Sequence, residues 1–154
     1  MTIKNITIFD LDGTIIDSSH RQATLPDGTL NLAHWLENAT PEKIFRDKVL
    51  PLAQQIRKRH KRGDYVMVCT ARLMSEADFE FLMDNGINPD KIISRPEGNQ
   101  EPDGQLKAKQ LKQFFNLKQF QKASKIMFDD AASVRSSLRK IGIATIHPNK
   151  LKFA

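Results

Sequence analysis

The sequence predicts an α/β fold, a Rossmann-like parallel sheet of about five strands with helices on both faces. The first observation behind this prediction is that short apolar runs alternate with helical patterns along the chain. The second is that 154 residues, 40% of them hydrophobic and 27% charged, have the size and composition of a globular domain. We therefore expect a single domain over residues 1–154, built around one hydrophobic core.

The strands are predicted from five short runs that are rich in β-branched and apolar residues. Each run is separated from the next by a helical pattern, as expected for parallel strands that are joined by right-handed crossovers. The five runs are residues 6–9, 65–69, 91–93, 125–128 and 143–146.

The helices are predicted from capping residues and from the spacing of apolar residues. Thr40 followed by Pro41 is typical of a helix N-terminus, and Pro51 has to restart or kink the helical stretch that follows. A capping box that begins at Ser75 opens another helix, which ends near Asn85. The remaining helical segments are residues 50–62, 105–115 and 133–140.

Four acidic residues follow the predicted strands at one edge of the sheet. Asp10 and Asp12 come after the first strand, and Asp129 and Asp130 come after the fourth. Ligands of such sheets bind at the carboxyl ends of the strands. Because clustered carboxylates repel one another, a divalent cation is the natural way to hold them together, and oxygen ligands without cysteine or histidine favour Mg²⁺. The sequence therefore predicts a magnesium site that serves phosphate chemistry.

Asp10 and Asp12 indicate how such chemistry is divided. In an extended chain their side chains point the same way, and Gly13 allows a sharp turn after them. One carboxylate can attack phosphorus and form an aspartyl-phosphate, while the other donates a proton to the leaving oxygen and then accepts one from water. A turn without function is the usual context of an isolated Asp-x-Asp-Gly, but it does not account for the buried strand before it.

The sequence resembles the haloacid dehalogenase superfamily of phosphotransferases over nearly its whole length. Residues 9–14 (Phe-Asp-Leu-Asp-Gly-Thr) are similar to the first motif of that family, and residues 68–72 (Val-Cys-Thr-Ala-Arg) to the second. Residues 127–130 (Met-Phe-Asp-Asp) are similar to the fourth motif. The third motif is a lysine, for which Lys107 is the better match and Lys109 the competing candidate.

This resemblance implies catalytic roles for four residues. Asp10 would be the nucleophile, and Asp12 would be the general acid and base. Thr70 would hydrogen-bond the transferring phosphoryl group, and Lys107 would neutralise its charge. These roles match what phosphoryl transfer requires, which is alignment together with charge stabilisation.

The resemblance also implies the ligands of Mg²⁺. Asp10, Asp129 and the main-chain carbonyl of Asp12 would bind the ion, and Asp130 would orient a water bound to it. All of these ligands are oxygen atoms, which is the donor set that Mg²⁺ prefers.

Within that superfamily the sequence is similar to the 3′-phosphatase domain of bacteriophage polynucleotide kinase-phosphatases. In that group an arginine follows the first motif, another closes the second, and an acid precedes the lysine by one helical turn. Arg21, Arg72 and Asp103 occupy these places here. The resemblance implies that they bind substrate, and that the substrate is a 3′-phosphate on a nucleic-acid end. No Gly-x-x-x-x-Gly-Lys-Ser/Thr loop occurs in the sequence, so we expect no kinase activity.

Many members of the superfamily cover a small substrate with a cap domain. Here residues 15–40 are too few for more than a small flap or helix, and residues 95–106 make only a loop. We therefore expect no large cap domain and an open site, which suits a bulky or polymeric substrate.

Two other functions stay open at this point. One is a nucleotidase or small-molecule phosphatase, and the other is a non-catalytic module that retains the phosphate pocket. The net charge of +6 is compatible with nucleic-acid 3′ ends or nucleotides as partners, and also with solubility alone.

The sequence also bears on where the protein works. Its apolar runs are too short for a transmembrane helix, and its N-terminus lacks the pattern of a signal peptide. One cysteine cannot form an intramolecular disulfide. We therefore expect a cytoplasmic protein without membrane contact, whereas the sequence does not indicate an oligomeric state.

Overall fold

The computed structural model describes residues 2–150, and in that range the chain forms seven strands and six α-helices. The strands are β1 (Asn5–Phe9), β2 (Ile16–Asp17), β3 (Lys48–Val49), β4 (Tyr65–Cys69), β5 (Lys91–Ile93), β6 (Ser124–Phe128) and β7 (Ala144–Ile146). The helices are α1 (Leu32–Glu37), α2 (Pro41–Ile44), α3 (Gln54–Lys61), α4 (Glu76–Asp84), α5 (Asp103–Phe114) and α6 (Ala132–Arg139).

Five of the strands form one parallel sheet in the order β5-β4-β1-β6-β7. The central strand β1 pairs with β4 on one side and with β6 on the other. Phe9 aligns with Val68 of β4 and with Phe128 of β6, so the three strands end at nearly the same level. We call this edge, where Asp10, Thr70 and Asp129 follow the three strands, the carboxyl rim.

Helices cover both faces of the sheet. Alternate side chains of β1 point to opposite faces. Phe9 belongs to a core cluster with Ile56 of α3 and Phe81 of α4, whereas Ile8 belongs to a second cluster with Leu111 of α5 and others from α6. This arrangement confirms the predicted α/β fold with a parallel five-stranded sheet between two helical layers.

The segment between β1 and β4 forms a small insertion, residues 16–49, which we call the flap. Its two short strands pair antiparallel, Ile16 with Val49, and they enclose α1 and α2. Trp35 of α1 and Ile44 of α2 are buried. The flap is a small insertion and not a large cap domain, in agreement with the prediction.

Some local elements differ from the sequence prediction. The helix that opens at Pro41 ends after one turn at Ile44, and Pro51 starts a separate 3₁₀ turn that leads into α3. The elements β2, β3 and α1 were not predicted, because two to six residues are too few to show a periodic pattern. Within residues 2–150, none of the helices combines the length and the apolar character that crossing a bilayer requires.

Candidate active site

Asp10 and Asp129 lie side by side at the carboxyl rim. The residues before them, Phe9 and Phe128, are aligned in neighbouring strands, and their rings stack with centroids 5.2 Å apart. The main-chain nitrogen of Asp10 donates to the carbonyl of Phe128 at 2.9 Å. Asp10 is only 6% exposed and Asp129 only 1% exposed, so two buried carboxyl groups are neighbours.

Lys107 of α5 joins these two aspartates. Its Nζ lies 2.8 Å from Asp10 Oδ1 and 2.8 Å from Asp129 Oδ2. Lys107 is buried, whereas the side chain of Lys109 is 61% exposed and pairs with Glu101. The structure therefore brings Lys107, and not Lys109, to the aspartates. The catalytic role of Lys107 stays a prediction.

One ammonium group faces several carboxyl groups in this cluster. Burial raises the pKa of Asp10 and of Asp129, and the ammonium group of Lys107 opposes that rise. Burial alone would lower the pKa of Lys107, but the two carboxylates raise it well above its usual value. Carboxylate oxygens of Asp10, Asp129 and the exposed Asp130 all lie within 4.8 Å of one another. Three carboxylates against one ammonium group leave an excess of negative charge.

This cluster fits a divalent cation such as Mg²⁺. It offers three hard oxygen donors and an excess of negative charge for the ion to neutralise. Gly13, with a φ of +77°, makes room for one of them, because a Cβ atom there would lie 2.3 Å from Asp130 Oδ2. The structure thus brings together the carboxylates of Asp10 and Asp129, the predicted side-chain ligands, and that of Asp130, which was predicted to orient a water bound to the ion. The predicted ligand role of Asp12 concerned its main-chain carbonyl, and it stays a prediction.

Three small side chains line the buried part of the rim. Thr14 donates its hydroxyl to Asp10 Oδ2 at 3.1 Å. Thr70, at the end of β4, is buried, and its Oγ1 accepts from the main-chain nitrogen of Arg72 at 3.0 Å. Burial raises the pKa of the Cys69 thiol to about 12, so this thiol stays protonated near neutral pH and is a poor nucleophile.

The side chain of Asp12 binds a different partner, Arg72. Nε of Arg72 donates to Asp12 Oδ2 at 3.1 Å, Nη2 donates to Oδ1, and the Ser18 hydroxyl donates to the same Oδ1 at 2.5 Å. Burial opposes the charge of Arg72, but neighbouring carboxylates raise its pKa above the usual value. Arg72 therefore stays charged and holds Asp12 by both oxygens. Its predicted contact with substrate stays a prediction.

Arg21 is buried at the base of the flap. Its Nε and Nη2 each donate to the carboxylate of Asp47 at 2.9 Å. The guanidinium carbon lies 4.2 Å from the centre of the Trp35 ring, within the range of a cation–π interaction. In this conformation the face of the guanidinium group and its Nε and Nη2 atoms are engaged by protein groups, whereas Nη1 is buried without a hydrogen-bond partner among the described residues. Substrate binding by Arg21 stays a prediction.

Asp103 lies outside the buried cluster. It opens α5, its side chain is 61% exposed, and its Oδ1 accepts from Arg95 Nη2 at 2.8 Å. Arg95 also donates to the carbonyls of Ala71 at 2.8 Å and Glu101 at 2.9 Å, so it fastens the loop before α5 to the rim. Among the described contacts, the Asp103 carboxylate binds Arg95 rather than the Lys107 cluster. Its substrate contact stays a prediction.

Sequence reasoning missed three residues that surround Arg72. Asp78 Oδ1 accepts from Arg72 Nη1 at 2.6 Å, and Asp47 Oδ2 lies 3.5 Å from Nη2. The ring of Trp35 is centred 5.4 Å from the guanidinium carbon. The capping box at Ser75 pointed to Asp78 only as a helix cap, which it also is. Asp47 and Trp35 carry no motif that could have revealed them.

Comparison of the sequence with models of known protein families identifies the family of this chain. The family model for the bacteriophage T5 5′-deoxynucleotidase matches residues 1–152 of the sequence. This chain belongs to that family. The 5′-deoxynucleotidase of Escherichia phage T5 is 38% identical to it in an alignment 89 residues long, which covers 55% of this chain. The match spans 36% of the T5 enzyme, so the curated relative is much longer than the shared segment.

Solved structures with the same fold include haloacid dehalogenase-like proteins. A putative phosphatase from Clostridium difficile has a TM-score of 0.67 and 18% identity, over 96% of this chain and 86% of that one. A haloacid dehalogenase-like hydrolase from Streptococcus pneumoniae has a TM-score of 0.64 and 14% identity, over 94% and 84%. A chain of the Pnkp1/Rnl/Hen1 complex has a TM-score of 0.65 and 19% identity, over 96% and 46%. The resemblance inferred from the motifs is thereby confirmed at the level of the fold.

Proposed function

We propose that this chain is a Mg²⁺-dependent phosphomonoesterase that removes the 5′-phosphate of deoxynucleoside monophosphates through an aspartyl-phosphate at Asp10. The observation that carries the proposal is the buried cluster of Asp10, Lys107 and Asp129 at the carboxyl rim, with Asp130 beside it. Membership of the bacteriophage T5 5′-deoxynucleotidase family supports the choice of substrate.

Asp10 suits the role of nucleophile because both of its oxygens are oriented. Lys107 binds Oδ1 at 2.8 Å and Thr14 binds Oδ2 at 3.1 Å. In the first step an Asp10 oxygen forms a bond to phosphorus while the bond from phosphorus to the nucleoside oxygen breaks. Lys107 and the Thr70 hydroxyl stabilise the charge on the transferring group. When bound, Mg²⁺ supplies further charge stabilisation and aligns the phosphate oxygens.

Asp12 suits the role of general acid and base. Its side chain is 26% exposed, so it reaches solvent at the rim while Arg72 orients it from inside. Asp12 donates a proton to the departing 5′-oxygen of the nucleoside. The same carboxylate then accepts a proton from the water that attacks phosphorus and releases Asp10.

Removal of 3′-phosphates from nucleic-acid ends is the second candidate function. The small flap favours it, since residues 16–49 build no large cap that would exclude a strand end. The motif positions of Arg21, Arg72 and Asp103 support the same candidate. The fold shared with a chain of the Pnkp1/Rnl/Hen1 complex is compatible with it.

A substrate panel separates the two candidates. The purified chain is assayed for phosphate release from the four deoxynucleoside 5′-monophosphates, from a deoxynucleoside 3′-monophosphate, and from 3′- and 5′-phosphorylated oligonucleotides. Each assay is run with Mg²⁺ and with EDTA. We expect the highest kcat/KM for 5′-mononucleotides, and no turnover with EDTA.

Two outcomes would change the assignment. A higher kcat/KM for the 3′-phosphorylated oligonucleotide would replace the nucleotidase by the second candidate. Absence of turnover on every ester, in a folded protein with Mg²⁺ bound, would reject an enzymatic function and leave a phosphate-binding module.

A further inference from the structure

We propose that Asp47 is a positioning residue for Asp12, acting through Arg72, so that the flap sets the orientation of the proton donor. This inference rests on the proposed function, because it concerns the step in which Asp12 protonates the leaving oxygen. In that step the Asp10 oxygen bonds to phosphorus, the bond to the nucleoside oxygen breaks, and that oxygen takes the proton of Asp12.

The geometry forms a continuous chain of ion pairs from the flap to the rim. Asp47 accepts two hydrogen bonds from Arg21, both 2.9 Å long, and lies 3.5 Å from Nη2 of Arg72. Arg72 in turn binds Asp12 by Nε and Nη2, while its Nη1 is fixed by Asp78 at 2.6 Å. The carboxylate of Asp12 is thus the last group in a continuous series of contacts.

The exposed fractions of these side chains show that the series of contacts runs from a buried region to solvent. The side chains of Asp47, Arg21, Arg72 and Asp78 are 0%, 1%, 3% and 3% exposed, whereas that of Asp12 is 26% exposed. Two arginines and two aspartates are therefore sealed from water, and the series reaches solvent at Asp12. The ring of Trp35 packs on the guanidinium groups of both arginines and helps to seal them.

The burial of these four charged side chains carries a large desolvation penalty and is therefore an inefficient way to stabilise a fold. A buried ion pair is often no more stabilising than apolar residues of the same volume, because desolvation offsets the attraction. A role in fixing the geometry of one functional group explains such a network better than stability does. Here the geometry that the network fixes is that of the Asp12 carboxyl group, whose Oδ2 accepts from Nε of Arg72 at 3.1 Å and whose side chain is 26% exposed.

Asp47→Asn is the test variant, because it removes one charge with little change of shape. Asp64→Asn is a matched control. Asp64 is 2% exposed and accepts from Nε and Nη2 of Arg62 at 2.9 Å and 2.8 Å, the same chemistry, but it lies just before β4 at the opposite edge of the sheet. A general effect of losing a buried carboxylate should appear in both variants, whereas an effect on the orientation of Asp12 should appear only in Asp47→Asn.

The readout is the dependence of kcat/KM on the leaving group. Each protein is assayed with a deoxynucleoside 5′-monophosphate, whose alkoxide needs a proton, and with p-nitrophenyl phosphate, whose phenolate departs without one. We expect Asp47→Asn to lower kcat/KM for the nucleotide about tenfold more than for p-nitrophenyl phosphate. Asp64→Asn should change both values by the same factor. Thermal unfolding of each variant establishes that it is folded.

Several outcomes would overturn the inference. One is a ratio of the two kcat/KM values that stays at the wild-type value in Asp47→Asn. Another is a shift of this ratio in Asp64→Asn that equals the shift in Asp47→Asn. Arg21→Lys, which keeps the charge but loses the two-pronged contact, is the second variant and should shift the ratio in the same direction. Failure of both flap variants to fold would assign the network to stability and would also contradict the inference. A wild-type protein that hydrolyses neither substrate would instead reject the proposed function.

Discussion

Lys107 Nζ lies 2.8 Å from Asp10 Oδ1, although the two residues are 97 positions apart in the sequence. The contact joins the second turn of α5 to the end of the central strand. Among the lysines of α5, it identifies Lys107 as the one whose ammonium group contacts Asp10, the proposed nucleophile.

Removing this cation should abolish most of the activity. We expect Lys107→Met to lower phosphate release from a deoxynucleoside 5′-monophosphate by about 10²-fold or more, because no other ammonium group contacts Asp10 in the described residues. The free energy of unfolding of this variant should also be about 3 kcal/mol lower than that of wild type near neutral pH, because two buried carboxylates lose their partner. Lys109→Met, the control, should stay within about twofold of wild type. Wild-type activity in Lys107→Met would contradict the assigned role.

The strands and the acids of the site were predictable because both follow local rules. Alternation of apolar runs with helical patterns located the five parallel strands, and the end of a strand located Asp10 and Asp129. Lys107 was found only as one of two candidates, since an exposed and a buried lysine look the same in a sequence.

The network behind Asp12 could not be predicted. Arg72 and Asp12 are 60 positions apart, and Arg21 and Asp47 are 26 apart in a flap without regular periodicity. Their pairing depends on how the flap packs against the sheet, which is a tertiary property. Only the cap residue Asp78 left a local signal, and that signal explained its helix rather than its contact with Arg72.

Binding of Mg²⁺ should stabilise the fold, and the stabilisation should depend on the acid cluster. A ligand present at about a hundredfold excess over its Kd stabilises by about 2.7 kcal/mol. We therefore expect Mg²⁺ to raise the unfolding temperature of the wild type and of Asp84→Asn, an exposed control on α4. Asp129→Asn should show a much smaller increase. An equal increase in all three proteins would place the ion elsewhere.

Gly13 should be required for a steric reason as well as for its backbone conformation. Its φ is +77°, and a Cβ there would lie 2.3 Å from Asp130 Oδ2, whereas Gly28, with a φ of +87°, has no atom within 4 Å of such a Cβ. Alanine at either position should cost about 1–2 kcal/mol of unfolding free energy. Only Gly13→Ala should also weaken the Mg²⁺-induced stabilisation. Equal behaviour of the two variants in a Mg²⁺ titration would show that Asp130 is not displaced.

Asp64 should contribute to acid stability. Burial alone would raise its pKa, but hydrogen bonds from Arg62 and Thr7 outweigh burial and lower it. Because the pKa is lower in the folded state than in the unfolded state, the stabilisation is present above the unfolded pKa and is lost as the pH falls through the folded one. Denaturant unfolding between about pH 5 and pH 2 should therefore show a smaller loss of stability for Asp64→Asn than for wild type. Parallel curves would contradict this assignment.

The most direct test of the account is the effect of Asp10→Asn on phosphate release from a deoxynucleoside 5′-monophosphate in the presence of Mg²⁺. The amide keeps the shape of the side chain but is a poor nucleophile. We expect a folded variant whose kcat is reduced by about 10³-fold or more, beside a wild type that turns the substrate over. A folded Asp10→Asn variant that keeps wild-type activity would show that Asp10 does not attack phosphorus.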